Sequence, residues 1–89
     1  MLQPKYTKQF KKDLKTQKKR SKDINKIKFV IEKLVAEEPL ASEYQDHFLI
    51  GNFKSRRECH IETNWLLIYK IDLPSISFER TGTHSDLFG

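Results

Sequence analysis

The chain has 89 residues, 37% hydrophobic and 33% charged, with a net charge of +5, which suffices for one domain around one modest core. Its longest apolar run, Trp65 to Tyr69, is far short of the roughly 20 residues of a membrane span, and Met1 to Tyr6 lead into lysines with no apolar segment behind them, so the expected compartment is the cytoplasm. A single cysteine, Cys59, excludes an internal disulfide framework and a cysteine-rich zinc site.

Charge divides the chain. Through Lys33 there are twelve lysines and arginines against Asp13, Asp23 and Glu32, a surplus of nine, so the remainder carries a net −4. The basic half is a candidate polyanion face, equally attractive to RNA, DNA or an acidic protein.

In chain order, Leu2 to Lys5 reads as a short edge strand, because Pro4 lacks the amide that a central position needs. Tyr6, Phe10 and Leu14 recur every four residues among lysines, which predicts an amphipathic helix over 7–18. Ser21 and Asp23 supply a start for a second helix, with a side-chain oxygen for the free amides and an anion in the first turn. Ile24, Ile27, Ile31 and Leu34, with Val30 and Val35, carry it to about Glu37, and Pro39 stops it. Ala41 to Asn52 is too polar and interrupted for either period and reads as a loop, holding Asp46, His47, Phe48 and Gly51.

Strands follow over 56–61, 65–71 and 76–81, with turns at Glu62 to Asn64 and at Pro74–Ser75. Such short connections predict an antiparallel meander, and a helical pair packed on it gives an α+β domain. Neighbours on a strand point to opposite faces, so Cys59 and His60 are poorly set for proton transfer, and Cys59 is expected in the core. Gly82 is expected to serve a backbone geometry closed to other residues. Glu58 and Glu79 alternate with apolar residues and are expected to be solvated or paired with arginine.

The last twelve residues, Phe78 to Gly89, place Arg80, His84 and Phe88 at a chain end, where fraying is the default. In a meander, the strand ends near His60 and Arg80 lie on one edge, and His47 precedes the sheet, so all four can converge there. Cleaving RNA without a metal takes a base for the 2′-hydroxyl, an acid for the departing 5′-oxygen and cations for the phosphate. Histidines suit the first two roles near neutral pH. Arg80, helped by Arg56 or Arg57, suits the third, and Trp65 or Phe88 offers a ring on which a base can stack. The three histidines with Asp46 or Glu58 also fit a metal site, which remains the minor reading because the spacing shows no compact ligand motif. A basic module that binds RNA, DNA or protein without cutting stays open as the alternative.

Two segments, DHFLIGNFKSRRECHIETNWLLIYKI (46–71) and FERTGTHSDLFG (78–89), resemble the YafQ branch of the RelE superfamily of bacterial toxins, through DH-x-L-x-G, R-x-x-H and R-x-G-(S/T)-H-x-x-LF in this order. The resemblance implies one small domain over 1–89, with two helices on a twisted antiparallel sheet. It implies an mRNA endoribonuclease that needs no metal or other cofactor and acts in the A site of the 70S ribosome. The implied partners are a cognate antitoxin, mRNA and ribosomal RNA, with operator DNA reached only through the antitoxin complex and no membrane. The family's catalytic positions fall on His47, His60, Arg80 and His84, and its aromatic positions on Trp65 and Phe88. One residue departs: where close members carry an aspartate before the tryptophan, this chain has Asn64, which forms hydrogen bonds but exchanges no proton at neutral pH. Glu62 is the nearby candidate substitute.

Overall fold

The computed structural model describes residues 1–50 and 55–89; Gly51 and Asn52 of the expected loop lie outside them. The elements are β1 (Gln3–Tyr6), α1 (Lys8–Lys19), α2 (Ile24–Val35), a 3-10 turn (Ser42–Tyr44), β2 (His47–Phe48), β3 (Arg57–Glu62), β4 (Trp65–Asp72), β5 (Ser75–Gly82) and α3 (His84–Phe88). The sheet order is β1-β5-β4-β3-β2. β1 joins the edge of β5 in parallel, and the other pairings are antiparallel, so the expected meander and α+β class are present.

Local chemistry explains the helix limits. Thr7 caps α1 by accepting from the Phe10 amide at 2.9 Å, and its hydroxyl donates to the Glu79 carbonyl at 2.9 Å, tying the helix start to β5. Asp23 caps α2 through the Asn25 amide at 3.0 Å. Both helices end in the same hydrogen-bonded motif. Ser21 and Glu37 adopt left-handed φ values of 63° and 60°, and the amides that follow reach back to the Gln17 and Lys33 carbonyls. Ser21 therefore ends α1 rather than starting α2, and α2 stops ahead of Pro39 at a cost of about 1 kcal/mol for a left-handed non-glycine residue.

The alternation of β4 separates two faces. Trp65, Leu67 and Tyr69 join Phe10, Ile27, Val30 and Phe78 in the core beneath the helices. Leu66 and Ile68 point the other way and meet Leu87 of α3 and Leu49. This second face is only partly covered, by the chain's own tail. The loop reading of 41–52 missed both the 3-10 turn and β2, whose two residues take their order from pairing with β3.

Candidate functional site

Register decides which side chains share the partly covered face. Glu58 lies opposite Ile68 and His60 opposite Leu66, His47 lies opposite Glu58, and Arg80 and Gly82 lie opposite Ile68 and Leu66. Residues opposite one another in a sheet share a face, so the positions of His47, Glu58, His60 and Arg80 share the side away from the helical core.

Glu58 is the hub. It is 5% exposed, and its Oε2 lies 3.2 Å from His47 Nε2 and 3.9 Å from His60 Nε2. The His47 Nδ1 proton is directed to the Gln45 carbonyl at 2.6 Å, so the contact with Glu58 is attractive only when a further proton lies between the two atoms. Glu58 Oε1 is buried and has no hydrogen-bond partner among the described residues. A buried carboxylate shared by two histidines corrects the expectation of a solvated or arginine-paired glutamate. The signal was its parity with His60, two residues along the same strand.

The tail completes the group. Thr83 caps α3 through the Asp86 amide, and the Asp86 carboxylate returns to the Thr83 amide at 2.9 Å, closing a capping box. Asn64 Oδ1 accepts from the His84 amide at 3.1 Å, so the residue replacing the family aspartate fixes the start of the tail helix. The His84 ring lies 6.2 Å from His60 and 5.9 Å from Phe88 between centroids. Gly82 is required for space rather than for an unusual φ, because a Cβ there would sit 2.8 Å from Asp86 Oδ2. Arg20 grips Asp86 with two nitrogens, at 2.6 and 3.2 Å. That hydrogen bond, followed by those from Thr83, holds the Asp86 carboxyl well below the usual carboxylate range.

Arg80 is held by an acid the sequence reading did not single out. Asp13 accepts from Arg80 Nε at 2.7 Å and Nη2 at 3.3 Å, from the Thr81 amide at 3.2 Å and from Gln9 at 2.9 Å. Asp13 raises the guanidinium still further above its usual value and fixes its orientation, while the side chain stays one-third exposed. The signal was a lone acid among lysines, three residues after Phe10 on the buried stripe.

Three expected site residues move. Trp65 is fully buried and its indole donates to Thr81 Oγ1 at 2.9 Å, so it has no ring face to offer a base. Arg57 lies opposite Tyr69 on the helix side, bonded to Asp46 at 3.1 Å and stacked on Phe48 at 4.3 Å. Glu62 is bound by Lys22 and Lys26, each at 2.9 Å, whose hydrogen bonds lower its pKa, so it is no substitute acid. Arg56 pairs with Glu79. Phe88 remains 42% exposed beside His84. Burial, reinforced by the Asp46 and Glu58 carboxylates, pushes the Cys59 thiol far up and keeps it protonated, so it packs rather than reacts.

A family model for the bacterial toxin of type II toxin–antitoxin systems, YafQ, matches residues 2–89. The chain belongs to that family. It is 46% identical over 85 residues to the mRNA interferase toxin YafQ of Escherichia coli K12, covering 94% of this chain and 92% of that one. The toxin in the crystal structure of the E. coli DinJ–YafQ toxin–antitoxin complex superposes with a TM-score of 0.93 at 44% identity, covering 99% and 98% of the two chains. A metal-bound toxin from Helicobacter pylori superposes with a TM-score of 0.93 at 40% identity, covering 99% and 100%. In this chain the described residues contain no group of three or more histidines, cysteines or carboxylates arranged to hold a metal ion.

Proposed function

We propose that this YafQ-family toxin is an mRNA endoribonuclease that inhibits translation by cutting mRNA in the ribosomal A site. The observation that carries the reading is the pair His47 and His60 on buried Glu58, with the His84 ring 6.2 Å from that of His60, on the same face as Arg80. One histidine takes the proton of a 2′-hydroxyl; that oxygen attacks the adjacent phosphorus, and the bond to the 5′-oxygen breaks. A second histidine protonates the departing oxygen, leaving a 2′,3′-cyclic phosphate and a 5′-hydroxyl. Arg80, oriented by Asp13, and Arg56 offset the charge that builds on phosphorus. Phe88 lies against His84, where a base can stack, and Asn64 keeps the tail in place. No metal takes part in these steps.

Purified ribosomes programmed with mRNA test this directly. Wild-type protein is expected to cut, and His84→Ala to cut at least a hundredfold more slowly. Cleavage is expected to persist after tightly bound transition metals are stripped with Mg²⁺ retained. Equal rates in the two proteins, or loss of activity on stripping, would overturn the mechanism.

The basic half also supports a cognate antitoxin as partner, an acidic or amphipathic segment that covers it; the E. coli toxin forms a toxin–antitoxin complex with DinJ. An adjacently encoded small protein is expected to bind at moderate salt. Operator DNA is reached through that complex, and the cytoplasm, where mRNA and ribosomes lie, is the proposed compartment. Among the described residues no helix is long and apolar enough to cross a membrane.

A further inference from the structure

Beside the histidine group, across His60, lies a cleft of about 870 Å³ between the start of α2, the 3-10 turn and the end of β3. Its chemistry differs from that of the site. Phe29, 49% exposed, and Tyr44 contribute aromatic surface. The side-chain amides of Asn25 and Gln45 line it, and neither has a hydrogen-bond partner among the described residues. The remaining charges are unsuited to a phosphate: Lys26 and Glu62, which both line the cleft, are committed to each other, and Asp23 and Glu43 leave its walls acidic.

We infer that this cleft takes an unpaired RNA base next to the scissile phosphate and reads its edge; the inference rests on the ribonuclease reading for the identity of that phosphate. Single-stranded RNA is recognised by splaying bases onto aromatic rings and bonding their edges. Amides donate and accept, and a carboxylate accepts from an exocyclic amino group. Carboxylate walls exclude the backbone and so direct the base, rather than the phosphate, inward. His60 is the shared wall, bordering the cleft on one side and lying beside His84 on the other. A strand whose phosphate sits against His84 and Arg80 thus reaches the cleft with the adjoining nucleotide. The volume lies in the range of sites that enclose small ligands, large enough for one nucleotide base and its sugar.

Two measurements decide the matter. In the first, isotope-labelled His84→Ala protein is titrated with a five-nucleotide single-stranded RNA while backbone resonances are followed. Asn25, Phe29 and Gln45 are expected to shift, and adding Phe29→Ala is expected to weaken binding roughly tenfold. Phe29→Leu, which keeps the apolar contact and loses the ring, is expected to weaken binding similarly, and RNA lacking the base at one position should be insensitive to either change. Shifts confined to the His47, Arg80 and His84 end, or unchanged affinity in both Phe29 variants, would overturn the inference. In the second, Phe29→Ala and Asn25→Ala are compared with wild type on programmed ribosomes. A raised KM with little change in kcat, and cut sites redistributed by the base beside the cut, support the cleft; identical rates and positions refute it. Failure of the wild type to cleave would sink the ribonuclease reading, whereas the titration still decides whether the cleft binds a base.

Discussion

The two faces of the sheet are made from the same strands, yet they respond to different requirements. On the helix side, Trp65, Leu67 and Tyr69 are buried among apolar neighbours; the Trp65 indole pairs with Thr81 and Asp46 with Arg57 and Tyr69, while Gln17 Oε1 of α1 is buried with no partner among the described residues. On the other side, Glu58 is buried with one oxygen unpartnered among the described residues and the other shared by two histidines. Leaving a buried polar atom unpaired costs about 1–3 kcal/mol. In Glu58 the unpaired oxygen belongs to a carboxyl group whose other oxygen faces two histidines. Residues adjacent in sequence therefore divide by parity: Arg57 and Cys59 serve packing, while Glu58 and His60 build the site.

Breaking each face in turn tests this division. The largest effect on stability is expected from Trp65→Ala, which removes a fully buried ring from the core and should cost about 3–5 kcal/mol in denaturant unfolding. Trp65→Phe should fold and cleave at nearly the wild-type rate per folded molecule. A Trp65→Phe protein that is stable but inactive would return the tryptophan to the site. On the opposite face, Glu58→Gln keeps the shape and removes the charge that holds two imidazoles. Misplaced catalytic groups cost up to about a hundredfold, so kcat on programmed ribosomes is expected to fall ten- to a hundredfold with KM little changed. The melting temperature should not drop, because a neutral amide is cheaper to bury than a carboxylate. Unchanged kcat would make Glu58 a packing residue.

These contrasts also explain what was legible beforehand. Both helices and the meander followed from apolar spacing, because Phe10, Ile27 and Phe78 bury along simple periods. The helix ends did not, since Ser21 and Glu37 hold left-handed conformations that their residue types do not announce. β2 escaped because two residues carry no period of their own. His47, His60, Arg80 and His84 were nameable from chemistry and resemblance, but their supports were not. Asp13 becomes visible only when helix parity is applied to charged residues, which are ordinarily assigned to solvent, and Glu58, named beside the histidines only as a metal ligand, gains its supporting place from strand parity. Trp65 could be read as a stacking ring or, heading an apolar strand, as core, and its full burial decides for the core.

Arg56 and Arg57 give a smaller and sharper version of the same comparison. Arg57→Ala should destabilise by about 1–3 kcal/mol, because it leaves Asp46, partly buried, with the Tyr69 hydroxyl alone. Cleavage per folded molecule should be unchanged. Arg56→Ala unpairs Glu79 and should also lower the melting temperature, but unlike Arg57→Ala it should weaken RNA affinity a few-fold and decrease the salt slope of binding by about one. Equal effects of the two substitutions on RNA affinity would show that parity does not separate them.

The smallest effect concerns the tail that closes the open face. Arg20 and Thr83 favour the ionised form of Asp86, so its folded pKa lies below the ordinary value of 3.8. A depressed carboxylate contributes stability that is fully present above its unfolded pKa and lost as pH falls through the folded one. Docking of α3 should therefore be constant from neutral pH down to about pH 5 and weaken only in stronger acid, because the shift begins to be lost near the unfolded value. Carbon chemical shifts of Ser85 to Leu87 would report this as loss of helix. Asp86→Asn should show the weakened tail already at neutral pH, since the amide can still accept from the Thr83 amide but no longer pairs its charge with Arg20. If the variant and wild type kept identical tail shifts across the whole range, the ion pair would be irrelevant to holding His84. The order of the tail would then rest on the Thr83 cap, Asn64 and the burial of Leu87.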